Sequence, residues 1–319
     1  LTTSRYYENV SVGELVPDPS GGNGFTLVGE TTDSLFLDGK QVVEGADDVS
    51  WGDAQAFILE VKDRVRNRVF GGKFLDGAFG LALADDGFVI GGALDSPNGE
   101  LADEAPSDAF VAKLTPDFAD TWQRRFGSPK PNGLNFHTDF VTRVIAAGSG
   151  TFLLTGYSAG STHYQDVPLV ESPGFVVAID GAGTALWGKG LPAPPKALVT
   201  ADAVWLAYGE PKVTVERLSL DGAPEVAGTI PAEGDLEVVG LVAGAEDGVV
   251  LVANHTRPDG RGFGDVVYDG ASAWRIDGQA VVAAPERLAN APVTSVVSDS
   301  LGFVASGAFC ELLLTSDQS

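Results

Sequence analysis

Methionine is absent from the chain, cysteine occurs once, at Cys310, and histidine only three times. A single cysteine allows no intramolecular disulfide. Its surroundings, "GAFCELLL", are those of an apolar strand, where a thiol packs as an inert side chain. His137, His163 and His255 show none of the spacings of a zinc site, such as HExxH. We read them as loop-surface residues without a catalytic role, and a His137–His163 metal pair has no supporting ligand. A GxSxG elbow, a P-loop, a dinucleotide fingerprint and an EF-hand loop are all missing. "GGNGF" (Gly21–Phe25) is glycine-rich but opens a strand rather than a helix, which argues against phosphate binding. No stretch carries sustained helical periodicity with caps. No apolar run approaches the roughly 18 residues of a membrane helix, so direct membrane insertion is not expected.

Basic residues are also scarce: 20 Lys and Arg stand against 44 Asp and Glu, a net charge of −24. Such a field repels phosphate backbones and anionic lipid, which excludes nucleic acid as an expected partner. It attracts cations and basic surfaces, keeps a protein soluble, or marks adaptation to salt; composition alone does not separate the three. The lack of methionine even at position 1 leads us to expect removal of a signal peptide. Export without disulfides then suits a bacterial secreted or cell-surface protein. Asn9-Val-Ser and Asn254-His-Thr fit the glycosylation sequon, a pattern short enough to arise by chance.

What the sequence does contain is repetition. "GFTLVG" (Gly24–Gly29), "GFVIGG" (Gly87–Gly92), "GTFLLTG" (Gly150–Gly156), "AVWLAYG" (Ala203–Gly209), "GVVLVAN" (Gly248–Asn254) and "GFVASG" (Gly302–Gly307) form one series. Each is a turn residue, a short β-rich run, then glycine or asparagine. A second series follows each of them: "FILEVKD", "FVAKLTPD", "FVVAIDG", "VERLSLDG", "ASAWRIDG" and "CELLLTSD". Short runs such as "FGLALADD" (Phe79–Asp86) precede the first series, and runs such as "DTWQRRFG" (Asp120–Gly127) follow the second. Each unit therefore carries strands a, b, c and usually d, and four antiparallel strands repeated at tens of residues build propeller blades. We expect an all-β, six-bladed β-propeller of four-stranded antiparallel blades forming a single domain over 1–319. Its units are expected at about 11–72, 73–128, 129–191, 192–231, 232–288 and 289–319. The sixth lacks a d strand, and "SRYYENV" (Ser4–Val10) has the aromatic pattern to supply it beside Cys310–Thr315, closing the ring and removing a β edge.

"SDAFVAKL…TW…FGS", with the glycine-bounded strand before it, resembles the β-propeller repeat of bacterial secreted and cell-surface proteins. The resemblance is good in the first three units and degenerate in the last three. It implies a fold and a location, and no single activity. "DGAGTALWGKG" is also similar to the tryptophan-containing repeat of quinone-dependent dehydrogenases. That family has eight blades with a regular tryptophan in each, whereas here only Trp122 and Trp187 fit.

The acid is unevenly spread. The b–c connections of the first three units, 31–54, 95–108 and 158–173, hold thirteen Asp or Glu against one Lys, net −12, half of the chain's total. Long connections on one end of a rigid scaffold are where propellers bind ligands. The plainer reading is a solvated, solubilising face. Within these connections Asp47, Asp48, Asp103 and Glu104 are the adjacent acidic pairs suited to a shared hard cation, calcium. Phe36, Trp51 and Tyr164 offer aromatic contact area for a partner, or pack under their own loops. The expected function is a non-enzymatic binding or scaffold module that engages a protein or glycan partner. Two alternatives stay open: a propeller hydrolase or lyase with an axial site, and a self-assembling structural subunit of a surface appendage.

Overall fold

The computed structural model describes residues 10–37, 40–43, 54–71, 76–94, 108–127, 139–158, 160, 162–169, 173–209, 212–230, 235–244, 248–258, 266–277, 285–289, 292–299, 302–307 and 311–315. The chain divides into two compact units, Leu1–Gly190 and Leu191–Ser319. In unit 1 the strands are β1 (Val10–Pro17), β2 (Phe25–Thr31), a small hairpin of β3 (Leu35–Leu37) and β4 (Lys40–Val43), then β5 (Gln55–Val61) and β6 (Val65–Phe70). They are followed by β7 (Asp76–Ala84), β8 (Gly87–Leu94), β9 (Asp108–Leu114) and β10 (Asp120–Phe126). The third group is β11 (Asp139–Ala146), β12 (Phe152–Ser158), a hairpin of β13 (Thr162–Tyr164) and β14 (Val167–Leu169), β15 (Gly174–Ile179) and β16 (Ala185–Leu191). They pair as three four-stranded antiparallel sheets, β1-β2-β5-β6, β7-β8-β9-β10 and β11-β12-β15-β16.

Unit 2 continues the pattern. Strands β17 (Lys196–Val199), β18 (Ala203–Tyr208), β19 (Thr214–Ser219) and β20 (Pro224–Thr229) form one four-stranded sheet. Strands β21 (Asp235–Ala243), β22 (Val249–Pro258), β23 (Val266–Ile276) and β24 (Glu286–Ala289) form the next, and β25 (Val293–Asp299), β26 (Gly302–Gly307) and β27 (Glu311–Thr315) a last one of three strands. No helix occurs among the described residues. The six repeats of the sequence are thus six sheets with their strands in chain order.

Three details differ from expectation. Val10 opens β1, paired with Thr31, rather than ending a separate closing strand; residues 4–9 and Cys310 lie outside the described residues. The residue matching the terminal glycine of the first series in the fifth sheet is Ala253, not Asn254. Asn254 is buried, and its amide exchanges two hydrogen bonds with the backbone of Val293 (2.9 and 2.8 Å), bracing β22 against β25. Its side chain is therefore not open to glycosylation in the folded chain. His255 lies within β22 rather than on a surface loop, half-buried against Trp274 and bonded through Nε2 to Ser272 Oγ (2.7 Å).

Packing explains why the second and third strands of each sheet read as continuous apolar runs. All of β8 is buried, with the first sheet against one face and the third against the other, and all of β15 is buried as well. In unit 1, Ile58, Phe110, Ile90 and Leu114 fill the core between the first two sheets, and Val111, Leu154, Phe175 and Val177 that between the second and third. In unit 2, Trp205, Leu251 and Trp274 fill the equivalent space between its first two sheets. Outer strands latch onto the next sheet: Arg68 of β6 donates to the Phe118 carbonyl (2.6 Å) and pairs with Asp120, and the Trp122 indole of β10 donates to the Gly181 carbonyl (2.9 Å).

Two local devices recur. The turns Thr115–Ala119, Asp180–Thr184 and Ser219–Ala223 share one geometry, with a left-handed residue at Phe118 (φ 67), Gly183 (φ 75) and Gly222 (φ 84). The residue opening each turn caps it by accepting the closing N–H on its side-chain oxygen. The first strand of five sheets carries a β-bulge, at Gly13, Phe79, Thr142, Val239 and Thr294; β17 has none. A bulge bends its strand and deepens its twist.

Candidate functional site

Antiparallel pairing sends the three acidic connections of unit 1 out at one end. They leave β2 at Thr31, β8 at Leu94 and β12 at Ser158, the same end at which β7 and β11 begin. Asp47, Asp48, Trp51, Asp103 and Glu104 lie outside the described residues. Among the described residues no group of three or more His, Cys, Asp or Glu comes together as a metal cage would require.

The first and third connections are not simple loops. In the first, β3 and β4 fold back over β5 and β6: Leu35, Val42 and Val43 bury against Phe57 and Leu59, and Asn67 Nδ2 donates to the Val42 carbonyl. Phe36 remains 41% exposed on this hairpin. In the third, the hairpin of β13 and β14 lies against β10 and β16. Tyr164 is buried, with its ring edge-on to Phe126 (4.9 Å) and its hydroxyl donating to the Gly183 carbonyl (2.9 Å). Burial holds its phenol well above the ordinary value. Gln165, at φ 51, clamps the same turn by donating to the Gly183 carbonyl and accepting from Ala185 N–H. Of the two roles open to Tyr164, the geometry is that of packing beneath its own loop. His163, beside it, is exposed.

A second group stands at this end, built by residues far apart in sequence. Phe79 is the bulged residue of β7. Its ring meets Phe140 of β11 edge-on (6.1 Å, 71°), and Phe140 stacks on Tyr157 of β12 (5.4 Å, 28°). All three are half-buried. Gly77 makes the close fit possible: a Cβ there would collide with the Phe79 ring and lie 2.9 Å from Glu30 Oε2. Glu30, at the end of β2, therefore reaches across from the first sheet to the edge of the aromatic ladder. Burial raises its carboxyl above the ordinary value, and no cation among the described residues lowers it again. Above pH 4.5 its ionisation then works against folding, since the folded state holds the proton more tightly than the unfolded one.

Deeper in the same strands, Glu14 of β1 accepts the Leu81 N–H (3.1 Å) and pairs with Arg143 of β11 (3.2 Å). Burial raises the Glu14 carboxyl and Arg143 opposes that shift. The contact depends on Gly80, where a Cβ would lie 2.5 Å from Val144 N, so β7 and β11 approach backbone to backbone. None of Glu30, Phe79, Phe140 and Tyr157 stood out in the sequence. The available signal was a repeated aromatic near the start of the first strand, "DGAF" and "DF", and its meaning depended on the bulge.

No protein-family model matches the chain, and no curated protein does. Among solved structures the chain is similar to BamB from Moraxella catarrhalis, with a TM-score of 0.52 and 12% identity over 92% of this chain and 82% of that one. The likeness is one of fold, of the β-propeller type. It agrees with the repeated antiparallel sheets and says nothing by itself of ligand or partner.

Proposed function

We propose that the chain is a non-enzymatic binding module, exported by a bacterium, that uses the connection end of unit 1 to hold a protein partner. The observation that carries this reading is that the three acidic connections leave their sheets at the end where a half-buried aromatic ladder stands. Functional residues concentrate on long connections held by a rigid scaffold, and aromatic area with a polar rim is the composition of protein interfaces. The same rings would also suit a glycan, which is the second ligand class. As part of this proposal the six sheets form one six-bladed ring, closed by residues 4–9 lying beside β27.

The test neutralises the acid while preserving size. A variant carrying Asp47→Asn, Asp48→Asn, Asp103→Asn and Glu104→Gln is compared with the wild type as bait against a cell-envelope extract, with and without calcium. The expected result is a partner retained by the wild type, lost by the variant and weakened as salt rises, because exposed charges are screened within ~8–10 Å at physiological strength. If the variant retains every partner in both conditions, the acidic face only confers solubility.

A further inference from the structure

We propose that Glu30, Phe79, Phe140 and Tyr157 form a receptor for an arginine or lysine side chain on an extended basic segment of the protein partner; this rests on the binding role of the same end of unit 1. The three rings of the ladder are half-buried rather than sealed in the core, and ring faces attract cations through their quadrupole. At one end of the ladder stands a carboxylate with no counter-charge among the described residues. Two arginines of the second and third sheets are committed elsewhere. Arg143 pairs with Glu14, and Arg125 Nη2 donates to the Leu94 carbonyl (2.6 Å).

A carboxylate in this position repels an anion and is poorly matched to a purely apolar ligand. A guanidinium or ammonium group satisfies both halves of the site, with a charge-assisted hydrogen bond to Glu30 and a stacking surface on Phe140 or Tyr157. An arriving cation also offsets the desolvation that raises the Glu30 carboxyl. The connections that leave the sheets at this end carry net −12 in their sequence, a charge that favours a basic segment over a lone basic residue.

The probe is a short acetylated and amidated peptide with two arginines spaced by glycine and serine, titrated calorimetrically at ~0.15 M salt. Its control is the same peptide with citrulline, which keeps the shape and loses the charge. The arginine peptide is expected to bind and the citrulline peptide not to. Glu30→Gln should weaken binding about tenfold. Tyr157→Leu, which keeps apolar volume, should weaken it about threefold. Glu30→Gln should melt no lower than the wild type at pH 7, so a loss of affinity there is not a loss of fold.

Equal binding of the citrulline peptide overturns the cation assignment. Affinity unchanged in Glu30→Gln and Tyr157→Leu, but reduced in the four-site amide variant, overturns this receptor while leaving the acidic binding end intact. Affinity unchanged in all variants counts against both readings. A neutral oligosaccharide that binds, and is weakened by Tyr157→Leu where the peptide is not, reassigns the ladder to a glycan.

Discussion

Phe118 is the residue at which backbone and side chain disagree most plainly. Its φ of 67 lies in the left-handed region, where the equivalent turns have Gly183 and Gly222. A bulky residue there carries a penalty of roughly 1–2 kcal/mol. The ring repays it by burial, tilted against Phe88 at 5.6 Å with the Arg66 guanidinium above it at 5.3 Å. Phe118→Ala removes the packing and keeps the strain, so a loss of about 3–5 kcal/mol is expected. Phe118→Gly removes both and should lose about 1 kcal/mol less, the reverse of the usual order in strands and helices. Urea unfolding midpoints of the two variants decide this. A glycine variant less stable than the alanine one refutes the strain argument.

At the scale of the strand, four of the five glycines that end the first repeat series have a common cause; Gly209 follows β18, whose partner β17 has no bulge. Opposite the bulge of β1, β7, β11 and β25 stand Gly29, Gly92, Gly156 and Gly307. A Cβ at each would collide with a carbonyl oxygen of the bulged strand, that of Ser11, Gly77, Phe140 and Pro292 respectively. In these four strands glycine leaves room for that carbonyl, whereas the bulge of β21 faces Ala253, so a bulge by itself does not require glycine. Gly156→Ala is therefore expected to destabilise by at least about 1–3 kcal/mol, with the Phe175 ring also in the way. Gly228, in the exposed strand β20, has nothing within 4 Å of the same atom. Gly228→Ala should be neutral or gain up to about 1 kcal/mol by restricting the unfolded chain. Thermal melts of both variants test the contrast, and equal losses would remove the carbonyl from the explanation.

For the molecule as a whole the prediction concerns the last sheet. Five sheets have four strands and the sixth has three among the described residues. Among the described residues β27 is paired on one side only; an open edge is a liability that folded chains cover, and the aromatic pattern of "SRYYENV" is the one expected to do so. Removing residues 1–9 should lower the urea midpoint substantially, since a domain has only ~5–15 kcal/mol in total. It should also promote concentration-dependent association through the bared edge. A truncated chain with unchanged melting and mass sinks the closure.

The six-fold repeat, the strand boundaries and the shared turns were legible in the sequence because they are local. Alternation, turn glycines and the continuous apolar runs "GFVIGG" and "FVVAI" are all set within a few residues. The placement of acid in three connections was equally legible, since charge is counted directly. The tertiary structure decided what those connections do. Two of them fold back and bury Val43 and Tyr164, because apolar residues at the outer strands need cover that no local pattern specifies. It also decided the candidate site. Glu30, Phe79, Phe140 and Tyr157 come from three sheets and meet only because a bulge turns Phe79 and the bare Cα of Gly77 admits a neighbour. Such a meeting is a long-range steric event, and no window of sequence contains it.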